Sequence, residues 1–371
     1  MTFFSKRWAG ITGWLFVSFI ALTYSPMAIE YFGSYFSDKA PKLWLQLFTW
    51  MTSESYTQGN GSIKVVQHNA YLASLLSMTI HTIAGGSVIL LACLQFNKKF
   101  RHRFPLWHRT LGHAQITFVV ISMLAAMIYL LRTGPAATYN GPAFYMQLWG
   151  IALGTITTSI LAVVAIRYKQ VAMHYSLMAL NFAFLMSAPV LRIEWIIFVK
   201  IDPSMTQEMT NLAGALVYGF IAVPLAILTM RHLDYRPETV RPSHRDINFK
   251  QFTLVWGLGL IAMIPIIIFC KQNIQEFQWL INYALIAISA VTLLYGLNFW
   301  HAKYKGHLIA QYEWRIHFTS LGIMPISTLI LWKLFTLFFS TSEAFWAAML
   351  LGPAIGLAFG FIFVLLSRRV T

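Results

Sequence analysis

The chain alternates between long apolar stretches and short polar ones. A helix needs about 20 apolar residues to cross the hydrocarbon core of a bilayer. Ten stretches meet that length, at residues 9–30, 70–95, 114–132, 144–166, 174–198, 211–230, 252–270, 279–300, 316–340 and 345–367. Hydrocarbon offers no partner for an unpaired backbone group, so each stretch is predicted to be a helix. The pattern predicts an all-α polytopic membrane protein with about ten transmembrane helices.

Composition supports this class. Of the 371 residues, 58% are hydrophobic and only 11% are charged, whereas soluble domains carry about 25% charged residues. The abundance of apolar residues also excludes a disordered chain. The net charge of +15 suggests an acidic partner at first, but a nucleic-acid binder would need a folded polar surface that this chain lacks. No nucleic-acid partner is therefore expected.

The distribution of Lys and Arg predicts the orientation. With the N-terminus inside, most of the 27 Lys and Arg residues fall in inner segments, including residues 98–109 and 231–250. Positive charge collects on the cytoplasmic side of membrane proteins. We therefore expect an inner-membrane protein with both termini in the cytoplasm. Its default partners are the lipid bilayer and the anionic lipids of the inner leaflet, and the sequence identifies no protein partner.

Residues 1–66 are predicted to form an anchor helix and an outer interfacial segment. The opening resembles a signal peptide, but its apolar run reaches Met27 and exceeds the roughly 7–15 residues of a cleaved signal. Between Pro41 and Trp50 the outer segment is rich in aromatic residues, which is typical of a helix lying in the headgroup region. A lid that captures substrate is the alternative for this segment.

The sequence also suggests an internal duplication. An offset of 136–137 residues superimposes the second to fifth helices on the sixth to ninth, and matches the inner loop 103–109 with 241–245. We therefore predict a first four-helix repeat at 67–200, a degenerate second repeat at 201–340, and a final helix with a basic tail at 341–371. His81 aligns with Tyr218 and His174 with Gln311, so polar chemistry is expected in the first repeat.

His81 lies near the centre of the second predicted helix. An ionisable residue at that depth is by default a functional hypothesis. The alternative is a neutral imidazole that is hydrogen-bonded to a neighbouring helix through Ser or Thr. The nearby Gly85 and Gly86 allow close approach of another backbone or of a flat ligand.

A second group of polar residues lies at the inner ends of the third and fifth helices: His108, Arg109, His113 and His174. These residues suit an anionic headgroup, a quinone head or a haem propionate, unless they simply face lipid headgroups. Near the outer end of the fifth helix, Arg192 and Glu194 either extend to the interface or pair with each other. Arg192 joins His81 and the inner group as a candidate cofactor-binding residue.

A b-type haem is one candidate cofactor, since His is a common axial ligand. His81 lies about 21 Å from the inner boundary and His174 within about 6 Å of it, so these two cannot share one iron. His113 and His174 are level with each other and are the candidate metal ligands. Soluble-type catalytic motifs are absent, and the sequence does not decide whether the protein is an enzyme.

Several residues within 68–198 carry a resemblance to a known family. They are His81, Gln95-Phe96, Pro105, His108-Arg109, Gly112, His174, Met178 and Leu191-Arg192. The pattern resembles a family of predicted bacterial multi-pass membrane proteins of unknown function. The resemblance implies a four-helix core similar in plan to membrane cytochromes b. The chain departs from the family pattern at Thr110, His113, Leu177 and Leu180.

Three functional hypotheses follow from these residues. The first is a redox or cofactor-binding protein that holds haem b or quinone near the inner group of His and Arg residues. The second is a transporter or lipid-handling protein with a midplane site at His81. The third is an accessory subunit of a membrane complex.

Overall fold

The structure is a computed structural model that describes residues 6–233 and 249–367. Within these ranges all regular structure is helical. Nine of the described helices or helix pairs are long and apolar enough to cross a membrane, and one further bent pair brings the number to ten. The predicted all-α polytopic membrane protein is confirmed. Arg241–Arg245, which the predicted repeat matches with the earlier inner loop, and the basic tail after Ser367 lie outside the described residues.

The described helices have the following bounds. In chain order they are α1 (Lys6–Glu30), α2 (Leu43–Met51), α3 (Glu54–Gln58), α4 (Ile63–Val66), α5 (His68–Ala73), α6 (Leu75–Gln95), α7 (Lys98–Arg103), α8 (Pro105–Ala137), α9 (Gly141–Arg167), α10 (Val171–Leu185), α11 (Ser187–Ile201), α12 (Gln207–Leu233), α13 (Phe249–Gln272), α14 (Ile274–Tyr304), α15 (Leu308–Ser320), α16 (Ile323–Phe335) and α17 (Thr341–Ser367). A 3₁₀ turn, Gly33–Tyr35, follows α1.

The chain divides into two compact units. The first unit consists of Arg7–Ile160 and Phe184–Gly214, and the second consists of Leu161–Ala183 and the described residues from Ala215 onward. In the first unit α6 packs along α8. In the second unit α16 packs along α17.

The helix that forms the third span, α8, extends beyond the apolar stretch 114–132 that predicted it. Pro105 stands at the first position of α8, where its missing N–H costs nothing and its fixed φ suits a helix. The segment that the pattern assigned to an inner loop is therefore helical, and it carries His108, Arg109 and His113 on the first turns of α8.

The fifth span is broken. Its two helices, α10 and α11, meet at a bend of 45° around Met186, where the apolar pattern predicted one continuous helix. Pro189 lies in the first turn of α11 and has no N–H to donate to the carbonyl of Leu185, so the helical ladder is interrupted there.

The outer segment of the first unit contains the predicted interfacial helix, which is α2. Its start is fixed to the end of α1, because the backbone N–H of Trp44 donates to the carboxylate of Glu30 over 2.9 Å. Farther along, the N–H of Ile63 donates to the side-chain oxygen of Gln207 over 2.7 Å. The hydroxyl of Tyr56 bonds that of Thr210. These bonds hold the segment against the start of α12 and favour a fixed interfacial element over a lid.

Candidate functional site

His81 is bonded to the neighbouring helix α8. Its Nδ1 lies 3.0 Å from the carbonyl oxygen of Ser122, and the Ser122 hydroxyl donates to the carbonyl of His81 over 2.9 Å. We assign the proton to Nδ1, which then donates to the Ser122 carbonyl and leaves Nε2 unprotonated. This reciprocal pair is the contact expected of a neutral imidazole that links two helices.

The glycine pair beside His81 is occupied by protein atoms. A Cβ added at Gly86 would lie 2.8 Å from Cγ1 of Ile29 and 3.0 Å from the carbonyl oxygen of Ser25, both on α1. A Cβ at Gly85 would lie 3.3 Å from the hydroxyl of Ser122. These glycines therefore let α1 and α8 approach α6, and this use needs no flat ligand.

Three of the inner-group residues lie on the first turns of α8. Arg109 and His113 are exposed and His108 is half-buried. The backbone carbonyl of His108 accepts a hydrogen bond from the side-chain amide of Gln95 over 3.2 Å. That bond ties the end of α6 to the start of α8.

His174 belongs to the second unit and His113 to the first. The Nδ1 of His174 lies 2.9 Å from the carbonyl oxygen of Ala162 on α9. His174 and His81 therefore share one feature: each points Nδ1 at a backbone carbonyl of another helix. Axial ligation of one haem by His113 and His174 stays a prediction.

Arg192 lies in the second turn of α11 among aromatic rings. Its Cζ is 4.1 Å from the ring centroid of Trp195, one helical turn later, and 5.9 Å from that of Trp44 on α2. Trp195 is fully buried and its ring lies 5.8 Å from that of Phe48. We call Trp44, Phe48, Arg192 and Trp195 the Arg192 site.

The guanidinium of Arg192 makes no ion pair or hydrogen bond with any residue that the structure describes. Pairing with Glu194 does not occur there, because residues two apart on a helix point in different directions. The sequence left open whether Arg192 pairs with Glu194 or extends to the interface, and its cation lies instead against ring faces. A cation over the face of a Trp ring is attracted by the negative charge of that face.

Glu194 is buried on the other side of α11. It is 7% exposed and faces Gly214 on α12, where a Cβ would lie 3.0 Å from its Oε2. That oxygen has no hydrogen-bond partner within the described ranges. The close approach of α11 and α12 at Gly214 is what buries this carboxyl group.

The positive charge of Arg192 acts on the pKa of two tyrosines in the outer segments, Tyr56 and Tyr139. Burial raises the pKa of Tyr56, its bond to Thr210 lowers it, and the positive charge of Arg192 lowers it further. Burial also raises the pKa of Tyr139, and Arg192 again acts in the lowering direction. Burial dominates in both cases, so both phenols stay protonated and the positive charge of Arg192 is not cancelled by a phenolate.

The second unit contains a buried polar cluster that the sequence did not reveal. Glu313 on α15 is 1% exposed and forms an ion pair with Arg231 at the end of α12. His317 follows one turn later and is fully buried, with its ring 5.5 Å from Trp314 and 5.8 Å from Tyr295. We call these five residues the Glu313 cluster.

The sequence pattern missed the Glu313 cluster because it began the ninth span at residue 316. In the structure the span runs from Leu308 to Phe335, so Glu313 is helical and buried although it precedes the predicted start of the span. The spacing of Glu313 and His317 places both on one face of a helix, and this was the available signal.

Metal ligands do not cluster in the described parts of the chain. Residues 6–233 and 249–367 contain no group of three or more His, Cys, Asp or Glu side chains that could hold a metal ion. This finding concerns ions held by protein side chains alone, and an axial pair of histidines on a haem iron is a different kind of site.

The fold and these sites define an integral membrane protein with an all-α core. Comparison with known proteins adds a family match over part of the chain. A family model described as "Predicted membrane protein (DUF2306)", a family of unknown function, matches residues 78–229. The matched segment includes His81, His108, His174 and Arg192, and it confirms the resemblance seen in the sequence. No curated protein and no solved structure matches the chain.

Proposed function

We propose that this protein is a lipid-handling membrane protein that binds an anionic amphiphile, with Arg192 as the residue that contacts the anionic group. One observation carries the proposal. The guanidinium of Arg192 lies in a membrane-spanning segment, against Trp195 and near Trp44, with no acidic partner among the described residues.

The energetics favour a ligand for this cation. A charged side chain within an apolar membrane helix is costly, and stacking on an aromatic face returns only about 1 kcal/mol. The guanidinium lies close to the rings of Trp195 and Trp44, and it carries five N–H donors in a fixed fork geometry. Those donors match the oxygens of a phosphate group in a fork geometry.

The break in the fifth span supports the same position. Discontinuous helices mark ligand sites in many membrane transporters. Arg192 follows the break by less than two turns, where the positive end of the α11 dipole also favours an anion. The sequence placed the site of a lipid-handling protein at His81, but His81 is engaged with Ser122 and its flanking glycines are filled by α1 and α8.

The test compares lipid retention by the purified protein. Native mass spectrometry would count dioleoyl phosphatidylglycerol, which is anionic, and dioleoyl phosphatidylcholine, which is zwitterionic, on the wild type and on Arg192→Gln. Loss of a charge-assisted hydrogen-bonded pair should lower phosphatidylglycerol retention by about tenfold or more, with little change for phosphatidylcholine. Lys200→Gln, an exposed cation on the same helix, is the matched control and should retain both lipids as the wild type does.

Two further arms sharpen this test. Arg192→Lys keeps the positive charge but lacks the planar pair of N–H donors that a guanidinium offers. It should therefore show only part of the wild-type preference for phosphatidylglycerol. Glycerol phosphate, which has the anionic group without acyl chains, should compete poorly if the ligand is a lipid. Equal retention of phosphatidylglycerol by wild type and Arg192→Gln would refute the proposal.

A second candidate is the redox or cofactor-binding function, with haem b or quinone. The observation in its favour is that His81 and His174 each point Nδ1 at a backbone carbonyl. Such a bond fixes the tautomer and orients the other ring nitrogen, as in ligating histidines. When bound, haem would supply one-electron transfer.

The absorbance of the purified protein in the Soret region tests the haem version. With haem present, His174→Ala should remove or perturb the band, whereas His81→Ala need not. Protein without a Soret band, purified from cells that make haem, contradicts this candidate. An accessory subunit would show neither the lipid preference nor the band, and would co-purify with its partners.

We further propose that the protein resides in the inner membrane with both termini in the cytoplasm. The support is the concentration of Lys and Arg in alternate connecting segments, as the positive-inside rule requires. A reporter that is active only in the cytoplasm, fused after Thr371, should be active. A periplasmic reporter at the same point should be silent, and activity of the periplasmic reporter contradicts the orientation.

A further inference from the structure

A groove lies between α1 and α2 in the first unit. Its volume is about 440 Å³, and its walls are Thr23 and Met27 of α1 with Leu43, Gln46, Leu47 and Trp50 of α2. The four α2 residues follow the spacing of one helix face. The groove is largely apolar, and it opens beside the outward face of α1, where Phe19 and Leu22 are exposed.

The groove is held in shape from behind. The neighbouring face of α2 carries Trp44 and Phe48, whose rings stack with centroids 4.6 Å apart. Phe48 packs against Trp195 of α11, and Glu30 fixes the first turn of α2. These contacts use the face of α2 that does not line the groove, so the groove needs no ligand to form.

One pair of rings is close to both the groove and Arg192. Tyr24 follows the lining residue Thr23, Trp44 follows the lining residue Leu43, and their rings meet edge to face at 6.4 Å. The guanidinium of Arg192 lies 5.9 Å from the ring centroid of Trp44. An apolar slot and a cation without an acidic partner are thus adjacent, which is the arrangement that an anionic lipid requires.

We propose that the groove binds one acyl chain of a phospholipid whose anionic headgroup is held by Arg192. This inference rests on the proposed function and names its ligand. The exposed Gln46 places an amide donor at the groove within the same helix face, where an ester carbonyl of the lipid can accept a hydrogen bond.

The physical chemistry of the bilayer explains why both parts are needed. Lipid tails are as apolar as leucine, so the hydrophobic effect does not favour the groove over the surrounding bilayer. A concave surface adds dispersion contacts on several sides of the chain, and the headgroup contact makes one lipid stay where others exchange. Glu30 lies near the start of α2, where its carboxylate accepts the Trp44 N–H.

The experiment fills the groove without touching Arg192. Leu47→Trp places a larger side chain on its wall, and Gln46→Trp does so at a second, exposed position should the first variant fail to fold. Leu22→Trp, which is 71% exposed on the outward face of α1, is the control. Native mass spectrometry again counts dioleoyl phosphatidylglycerol and dioleoyl phosphatidylcholine, and a phospholipid with a diazirine in its acyl chain maps the contact by crosslinking.

The expected result is a loss of retained lipid of both kinds by about fivefold or more in Leu47→Trp and Gln46→Trp, because the dispersion contacts of the chain are removed. Leu22→Trp should behave as the wild type, and crosslinks in the wild type should fall on α1 and α2. Arg192→Gln should affect phosphatidylglycerol alone.

Two outcomes separate failure of the groove from failure of the proposed function. Unchanged retention in both groove variants, with the anionic preference still lost in Arg192→Gln, overturns the groove and leaves the proposed function in place. Loss of lipid in the groove variants, with no effect of Arg192→Gln, overturns the assignment of the headgroup to Arg192 and the proposed function with it.

Discussion

The two units each hold an arginine beside tryptophan, and the comparison separates a binding site from a structural one. In the first unit Arg192 lies 4.1 Å from the ring centroid of Trp195. In the second unit Arg231 lies 5.7 Å from that of Trp314. Arg231 also has the carboxylate of Glu313 as its ion-pair partner, whereas Arg192 has no acidic partner among the described residues. A cation that is neutralised inside the protein stabilises the fold, and one that is not is available to a ligand.

The packing around the two arginines also distinguishes a structural core from a binding site. The second unit packs closely around its cluster: α17 approaches α16 so tightly that a Cβ at Gly356 would lie 2.6 Å from the Cα of Met324. The first unit keeps an open groove beside its arginine. Close packing with an internal counter-charge is typical of a structural core, and a groove beside a cation is typical of a site for ligands.

The largest expected effect comes from removing the counter-charge in the second unit. Glu313→Gln leaves the partly buried Arg231 beside a neutral amide, and breaking a largely buried pair in this way costs about 3 kcal/mol of stability. Arg192→Gln should cost about 1 kcal/mol or less, because it removes only ring contacts. Thermal unfolding in detergent measures both, with Glu54→Gln as the exposed acidic control. An equal loss in Arg192→Gln and Glu313→Gln would break the comparison.

Close packing in the second unit gives the next effect. Gly356→Ala places a methyl group against the backbone of α16 and should cost about 1–3 kcal/mol through overpacking. Gly257 has no atom within 4 Å of an added Cβ, so Gly257→Ala should be neutral or stabilising by about 1 kcal/mol through helix propensity. Thermal unfolding again compares the two variants. If both glycines tolerate alanine equally, the second unit is less tightly packed than the structure indicates.

A smaller effect is expected where α6 meets α8 in the first unit. Ser122→Ala removes the hydroxyl that donates to the His81 carbonyl but keeps the backbone carbonyl that accepts from Nδ1. One net hydrogen bond is worth about 0.5–1.5 kcal/mol, so a modest fall in the unfolding temperature should follow. Lipid retention at the Arg192 site should not change. A loss of the anionic preference in Ser122→Ala would place His81 in the binding site after all.

The smallest effect concerns acid stability of an exposed turn after α11. The N–H and hydroxyl of Ser204 donate to Asp202 over 3.0 and 2.6 Å, and these bonds lower the pKa of that carboxyl group. A lowered folded-state pKa stabilises the fold above the unfolded value, near 3.9, and this contribution is lost as the pH falls through the folded value. Unfolding curves of wild type and Asp202→Asn should therefore converge below about pH 4. Curves that stay parallel across that range contradict this assignment.

Much of the fold followed from local pattern. Ten apolar stretches predicted the spans, and the structure places helices at all of them. The apolar pattern predicted one continuous fifth span, and only the backbone around Met186 shows that the helix is broken by 45°. Helix ends were less predictable, and the early start of α15 moved Glu313 from a loop to the interior.

The candidate site was predictable only in part. Arg192 stood out as a charge within an apolar span, and Trp195 one turn later was visible beside it. Trp44 and Phe48 come from the outer segment, which the sequence assigned to the membrane interface, and no local pattern joins them to Arg192. The predicted repeats at 67–200 and 201–340 and the haem ligands His113 and His174 stay predictions.

The sequence by itself determined that this is an all-α membrane protein, because a backbone in hydrocarbon must satisfy its own polar groups and so becomes helical wherever the apolar run is long enough. It also determined which residues are unusual within those runs, His81 and Arg192 among them. Tertiary structure decided which of these residues have a polar or charged partner within the protein. Ser122 meets His81 and Glu313 meets Arg231, while Arg192 contacts two tryptophans and no carboxylate of the described residues. Most of these contacts join residues far apart in the chain, and only the packing of the helices within each unit brings them together.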